Sequence, residues 1–116
     1  MRIYISGKIS GLDYSEAYSN FELIELKLRS AGVTSIFNPM KEISKDLPWN
    51  TQMDICLKEI PKCNVVVFQH NWKESIGARW EFAEAARHKI HIRYDRPDDY
   101  RDIETQIKKR RSPCTL

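Results

Sequence analysis

The sequence lacks the marks of several protein classes. It has no apolar run long enough to span a membrane and no hydrophobic segment of signal-peptide type, so no membrane partner is expected and the cytoplasm is the expected location. Its three cysteines, Cys56, Cys63 and Cys114, are odd in number and never spaced C-x-x-C, which argues against a disulfide framework or a zinc site. They read as two small buried hydrophobes and one thiol near the C-terminus. His70, His88 and His91 read as surface or strand-end residues rather than ligands, so no metal is expected. Neither a Walker A loop nor G-x-G-x-x-G occurs, internal repeats are absent, and no cofactor is expected.

Charge of one sign is also scarce. Nineteen Lys and Arg against sixteen Asp and Glu leave a net charge of +3, part of it in the run Lys108, Lys109, Arg110 and Arg111. No aromatic residues are interleaved there, so residues 108–116 read as a solvated basic tail and nucleic acid is not the expected partner.

What remains is a chain sized for one domain, residues 1–116. Ile3 and Ile5 alternate with polar neighbours from Met1 to Ser6, a strand pattern that stops at Gly7. Ala17, Phe21, Ile24, Leu28 and Ala31 then recur at helical spacing between about Tyr14 and Ala31, with Asp13 as a candidate N-cap and Gly32 as the stop. Val33 to Phe37 is a short strand broken by Asn38-Pro39, and Met40 to Pro48 has no sustained period. Trp49, Met53, Cys56, Leu57 and Ile60 mark a helix closed by Pro61. Asn64 to Phe68 is the most apolar stretch, as expected of a central parallel strand covered on both faces. A loop, Gln69 to Ile76, leads to a helix over Gly77 to His88, a strand over Ile90 to Tyr94 and a last helix from about Pro97 to Lys109.

Strands alternating with helices imply an open parallel α/β sheet of about four strands with helices on both faces. Its ligand crevice lies beyond the carboxyl ends of strands one and three. Two segments fall there. Ser6-Gly7-Lys8-Ile9-Ser10-Gly11 offers backbone access, hydroxyls and an ammonium, a set that suits either a phosphate or sugar loop or a plain strand-to-helix turn. In Ser75-Ile-Gly77-Ala78-Arg-Trp-Glu81, Ser75 is able to cap a helix and Glu81 falls in its first turns. That carboxylate faces the crevice, or else only favours the helix dipole or pairs with an arginine. Asp54 is either on a solvent face or a second carboxylate at the site. Trp49, Trp72 and Trp80 lie near loop ends, Trp72 being best placed to stack on a base, and Tyr4 on strand one is able to offer a hydroxyl to the crevice.

Taken in order, Tyr4-Ile-Ser-Gly7, Gly11, Phe37-Asn-Pro39, Trp49 with Met53-Asp54, the apolar strand, Trp72 and Ser75-x-Gly77-Ala78-x-x-Glu81 resemble the DUF4406 proteins, relatives of nucleoside 2-deoxyribosyltransferases and deoxynucleoside monophosphate N-hydrolases. The resemblance spans about residues 1 to 93. It implies a flavodoxin-like (Rossmann-like) fold and cleavage of a base–sugar bond, or (deoxy)ribosyl transfer, through the carboxylate of Glu81. Asp54 would assist at the base, and Tyr4 would match a strand-one tyrosine. Ser6, Gly7, Lys8, Gly11, Ser75, Gly77 and Ala78 would hold the sugar or phosphate of a nucleoside or nucleotide, with Trp72 over the base. Lys8 and Arg79 favour a phosphorylated ligand, and related enzymes imply a homo-oligomer. The alternative is a pocket that binds a nucleotide as sensor or sponge without turnover.

Overall fold

A computed structural model describes residues 1–111. Cys114 and residues 112–116 of the expected basic tail lie outside the described residues. The elements run β1 (Arg2–Ser6), α1 (Tyr14–Ser30), β2 (Ser35–Phe37), α2 (Pro39–Glu42), α3 (Trp49–Glu59), β3 (Val65–Phe68), α4 (Ile76–Arg87), β4 (His91–Tyr94) and α5 (Pro97–Arg111), with short 3-10 turns at Ile60–Lys62 and Trp72–Glu74.

The period of two in β1 decides the layering. Ile3 and Ile5 face one way and meet Phe21, Ile24 and Leu28 of α1, Ile103 and Ile107 of α5, and Val65 and Val67 of β3. Tyr4 faces the other way, into a second core with Phe37, Val66, Phe68, Cys56 and Ile60 at α3, and Ala85 of α4. Ser6, two residues beyond Tyr4, shares that second face. Every residue of β3 is buried, as a strand covered on both faces requires.

All four strands are parallel, in the order β2-β1-β3-β4. This is a flavodoxin-like α/β fold. From β1 the chain first moves outward to β2 and then crosses back to β3 on the other side, so strand order reverses between β1 and β3. A crevice opens at the carboxyl ends of strands at such a point.

Three local readings change. Asn38-Pro39 ends β2 as expected but also starts α2: Asn38 Oδ1 accepts from the Met40 amide at 3.0 Å, and Pro39 occupies the first turn, where its missing N–H costs nothing. The Asn38 Nδ2 donates to the buried Glu25 of α1 at 3.0 Å, tying β2 to the opposite layer. Asp13 precedes α1 but makes no side-chain cap; the turn is closed by the Ala17 amide donating to the Asp13 carbonyl. The basic run is no tail at its start, because Lys108 to Arg111 belong to α5.

The two loops at the crevice are joined to each other. The Gln69 amide donates to the Ser6 carbonyl at 2.9 Å, and the Lys8 amide donates to Asn71 Oδ1 at 3.1 Å. Gly7 makes this approach possible: a Cβ there would stand 2.3 Å from the Gln69 side chain, which is itself buried. We therefore expect Gly7→Ala to destabilise the fold by about 1–3 kcal/mol through overpacking. In a double-mutant cycle read by urea unfolding, Gln69→Ala should cost less in the Gly7→Ala background than in wild type. Strict additivity would show that the two side-chain positions do not compete.

Candidate active site

The face shared by Tyr4 and Ser6 receives one carboxyl from above. Glu81 sits in the second turn of α4, whose start is fixed by Ser75: its Oγ accepts from the Ala78 amide at 3.1 Å. From that cap one further turn brings Glu81 down onto β1. Tyr4 donates its hydroxyl to Glu81 Oε2 at 2.5 Å, and Ser6 donates to Oε1 at 2.6 Å. Each carboxyl oxygen thus has its own buried donor, so the group is held in one orientation.

Burial sets the electrostatics. Glu81 is 6% exposed, and its loss of water pushes the carboxyl up to about 7, against the hydrogen bonds from Ser6, Tyr4 and Cys56, which favour the ionised form. Tyr4 lies well above its ordinary value, first because it is fully buried and second because of the Glu81 charge. It therefore stays a donor. The Cys56 thiol is likewise pushed up to about 12, chiefly by burial and then by Glu81, and remains a neutral wall group rather than a nucleophile. A carboxyl poised near neutrality among neutral donors is suited to act as nucleophile or base.

Glu81 opens onto a cleft of about 210 Å³. Gly7, Ser75, Gly77 and Ala78 line it, as the sequence reading placed them, while Tyr4 and Ser6 lie beneath Glu81 and are fully buried. Ser6 therefore holds Glu81 in place of contacting a ligand.

Four other expected site residues stand elsewhere. Asp54 does not face the cleft: its side chain is 65% exposed and pairs with Lys58 at 3.0 Å. Helical arithmetic explains this, since Met53 and Cys56 form the buried face of α3, with the partly exposed Trp49 at its cleft end, and Asp54 is a hundred degrees away from Met53. Trp72 packs outside the cleft, stacked on Phe82 with ring centres 4.6 Å apart and within 5.3 Å of Phe68. There it covers the second core beside a shallow groove lined by His70 and Tyr94. Lys8 turns its ammonium to Glu74 at 3.7 Å and lies outside the cleft lining, as does Gly11. Gly11 has φ +90°, a left-handed conformation that suits glycine at the turn leading into α1.

Ser10, a hydroxyl of the Ser6–Gly11 segment, lines the cleft, which also uses residues that sequence reasoning passed over, among them Tyr14, Lys45, Gln52 and Cys56. Cys56 was within reach, because it shares its helical face with Trp49 and Met53. Lys45 and Gln52 were not, because the loop before α3 carries no periodic pattern. Among the described residues no group of three His, Cys, Asp or Glu side chains stands together as a metal site, and no helix is long and apolar enough to cross a membrane.

A family model described as a domain of unknown function (DUF4406) matches residues 1–94. The chain belongs to the DUF4406 family. The matched span of this DUF4406 chain contains the whole cleft and ends with β4, leaving α5 beyond it. No curated protein and no solved structure matches.

Burial of Glu81 has a measurable consequence for the fold. Because its folded value lies above the usual 4.5, the native state holds a proton that the unfolded chain has released, and stability contributed by the protonated carboxyl is lost as pH rises from about 4.5 to about 7. Relative to Glu81→Gln, which has no such titration, wild type should lose on the order of 3 kcal/mol across that window, read by urea unfolding at several pH values. A constant difference between the two proteins would show that Glu81 ionises as freely in the fold as in the unfolded chain.

Proposed function

We propose that this DUF4406 protein acts in the cytoplasm and cleaves the N-glycosidic bond of a nucleoside or nucleotide, with Glu81 as the nucleophile. The observation that carries the reading is the carboxyl itself: at the cleft wall, nearly dehydrated, and fixed through both oxygens by Tyr4 and Ser6. The resemblance of the motif order to DUF4406 proteins, taken in the sequence analysis as relatives of nucleoside 2-deoxyribosyltransferases, also motivates it.

The reaction follows from the geometry. A Glu81 oxygen attacks C1′ as the bond from C1′ to the base nitrogen breaks through an oxocarbenium-like state. The bond pair leaves with the base, which takes a proton from water at the open mouth. A water then adds its oxygen to C1′ and gives up a proton to the hydroxide left at the mouth, the ester to Glu81 breaks with its bond pair on the oxygen, and the carboxylate is restored; a second base in place of water, losing its N–H proton in the same way, gives transfer. Tyr4 and Ser6 keep their protons throughout and orient the carboxylate. Asp54 has no part in these steps within one chain.

The exposed Trp49 and Trp80, in edge contact at 5.2 Å, and Ile76 form an apolar surface beside the mouth. A homo-oligomer that covers them is part of this reading, and wild type should sediment as more than one subunit. Trp80→Lys should shift it toward the monomer.

Incubation with a panel of nucleosides and their 5′-monophosphates, followed by chromatography, should reveal free base. Its rate should fall by at least about a thousandfold in Glu81→Gln. The limb of kcat/KM that reports Glu81 should rise with pH through about 7, where the carboxyl ionises. Tyr4→Phe, which removes a hydrogen bond favouring the ionised form, should lower the rate by about 10- to 100-fold and move that limb upward. Tight binding of a panel member with no base released would instead identify a nucleotide sensor or sponge.

A further inference from the structure

Apart from Glu81, the cleft lining contains one charged side chain, Lys45. The cations that the sequence offered for a phosphate are engaged or placed elsewhere: Lys8 turns to Glu74, and Arg79 is exposed outside the lining. Lys45 differs from Lys8 in having no salt-bridge partner among the described residues; its one charge contact is with an aromatic face, the Nζ standing 4.9 Å from the centre of the Tyr14 ring. Tyr14 opens α1 and Lys45 belongs to the loop before α3, so the pair spans the mouth between two elements.

That loop, in which Lys45 is exposed, is anchored at the rim of the cleft. The side-chain amide of Gln52, itself a lining residue, lies within hydrogen-bond distance of the carbonyls of Ser44, Lys45 and Leu47, at 3.2, 3.3 and 2.9 Å. The backbone carrying Lys45 is thereby fixed over the mouth, and the ammonium is left free to exchange the weak cation–π contact for a charged hydrogen bond. A ligand complementary to this cleft has an electrophilic sugar carbon at Glu81 and an anionic group at the rim.

We infer that Lys45 is the specificity-determining residue that selects a phosphomonoester, so that the ligand is a nucleoside monophosphate in preference to the nucleoside. This rests on the glycosidic reading for the sugar and base, and on the Lys45 placement alone for the phosphate.

Equilibrium binding of matched pairs, each nucleoside with its own 5′-monophosphate, tests it at low and at physiological salt. Wild type should bind at least one monophosphate about tenfold or more tightly than its nucleoside, with the preference shrinking as salt is added. Lys45→Ala should lose that preference while holding the nucleoside within about twofold of wild type; Lys45→Arg should keep it, and so should Lys58→Ala, on the outer face of α3, as a control. Equal binding of the two ligands by wild type, a preference that survives in Lys45→Ala, or binding of neither ligand overturns the assignment. Base release from nucleosides and monophosphates alike would overturn Lys45 and leave the glycosidic reading intact. A Lys45-dependent preference without base release would do the reverse.

Discussion

A dehydrated carboxyl needs donors that cannot leave, and Glu81 takes its two hydroxyl donors from alternate residues of a single strand. Tyr4 and Ser6 project to the same face because a strand repeats every two residues, and they are fully buried because β1 is an inner strand of the sheet. The carboxyl meets them only if α4 begins where it does. Ser75 fixes that start, Gly77 and Ala78 occupy the turn above, and Glu81 follows one turn later on the inner face. Moving the helix start by one residue would rotate Glu81 by about a hundred degrees and strand it at the surface.

The same constraint accounts for the tight junction of the crevice loops. Strand β3 carries the loop that leads to α4, so its register against β1 passes directly into the position of Glu81. The pairing of Ser6 with Phe68, the Gln69 amide on the Ser6 carbonyl, and the Asn71 side chain on the Lys8 amide continue that register past the ends of the strands. At Gly7, between these two contacts, the loops leave no room for a Cβ beside the Gln69 side chain. Asn64 serves the other end of the same pair, its Oδ1 accepting from the Arg2 amide at 2.7 Å. The central strands are thus locked to one another at both ends, which is what a preorganised carboxyl requires.

Much of this was legible in the residues. The alternation of Ile3 and Ile5 with Tyr4 and Ser6, the unbroken apolar β3 and the capped start of α4 each carry a period or a cap, and they bring Glu81 to a helix start beside the crevice; that its carboxyl turns inward, in place of serving the helix dipole or an arginine, is decided by its contacts with Tyr4 and Ser6. Asp54 and Trp72 were misplaced for different reasons. Asp54 follows Met53 directly, and only the full helical count separates the inner face from the outer. Trp72 lies in a loop, where no period indicates direction, and the partners that claim it, Phe68 and Phe82, come from two other elements. Lys45 and the Gln52 anchor were illegible because they depend on a loop folding back onto a helix, a contact with no local signature.

In the proposed reaction everything turns on the bond from Glu81 to C1′. The most direct measurement is intact-protein and peptide mass spectrometry after incubation with a substrate analogue bearing fluorine at C2′, whose electron withdrawal destabilises the oxocarbenium-like state and slows release of the adduct. A single glycosyl adduct is expected on the peptide containing Glu81, with free base released in equal amount, and none in Glu81→Gln. An adduct on a different residue, or base released with no adduct at any time, would contradict it.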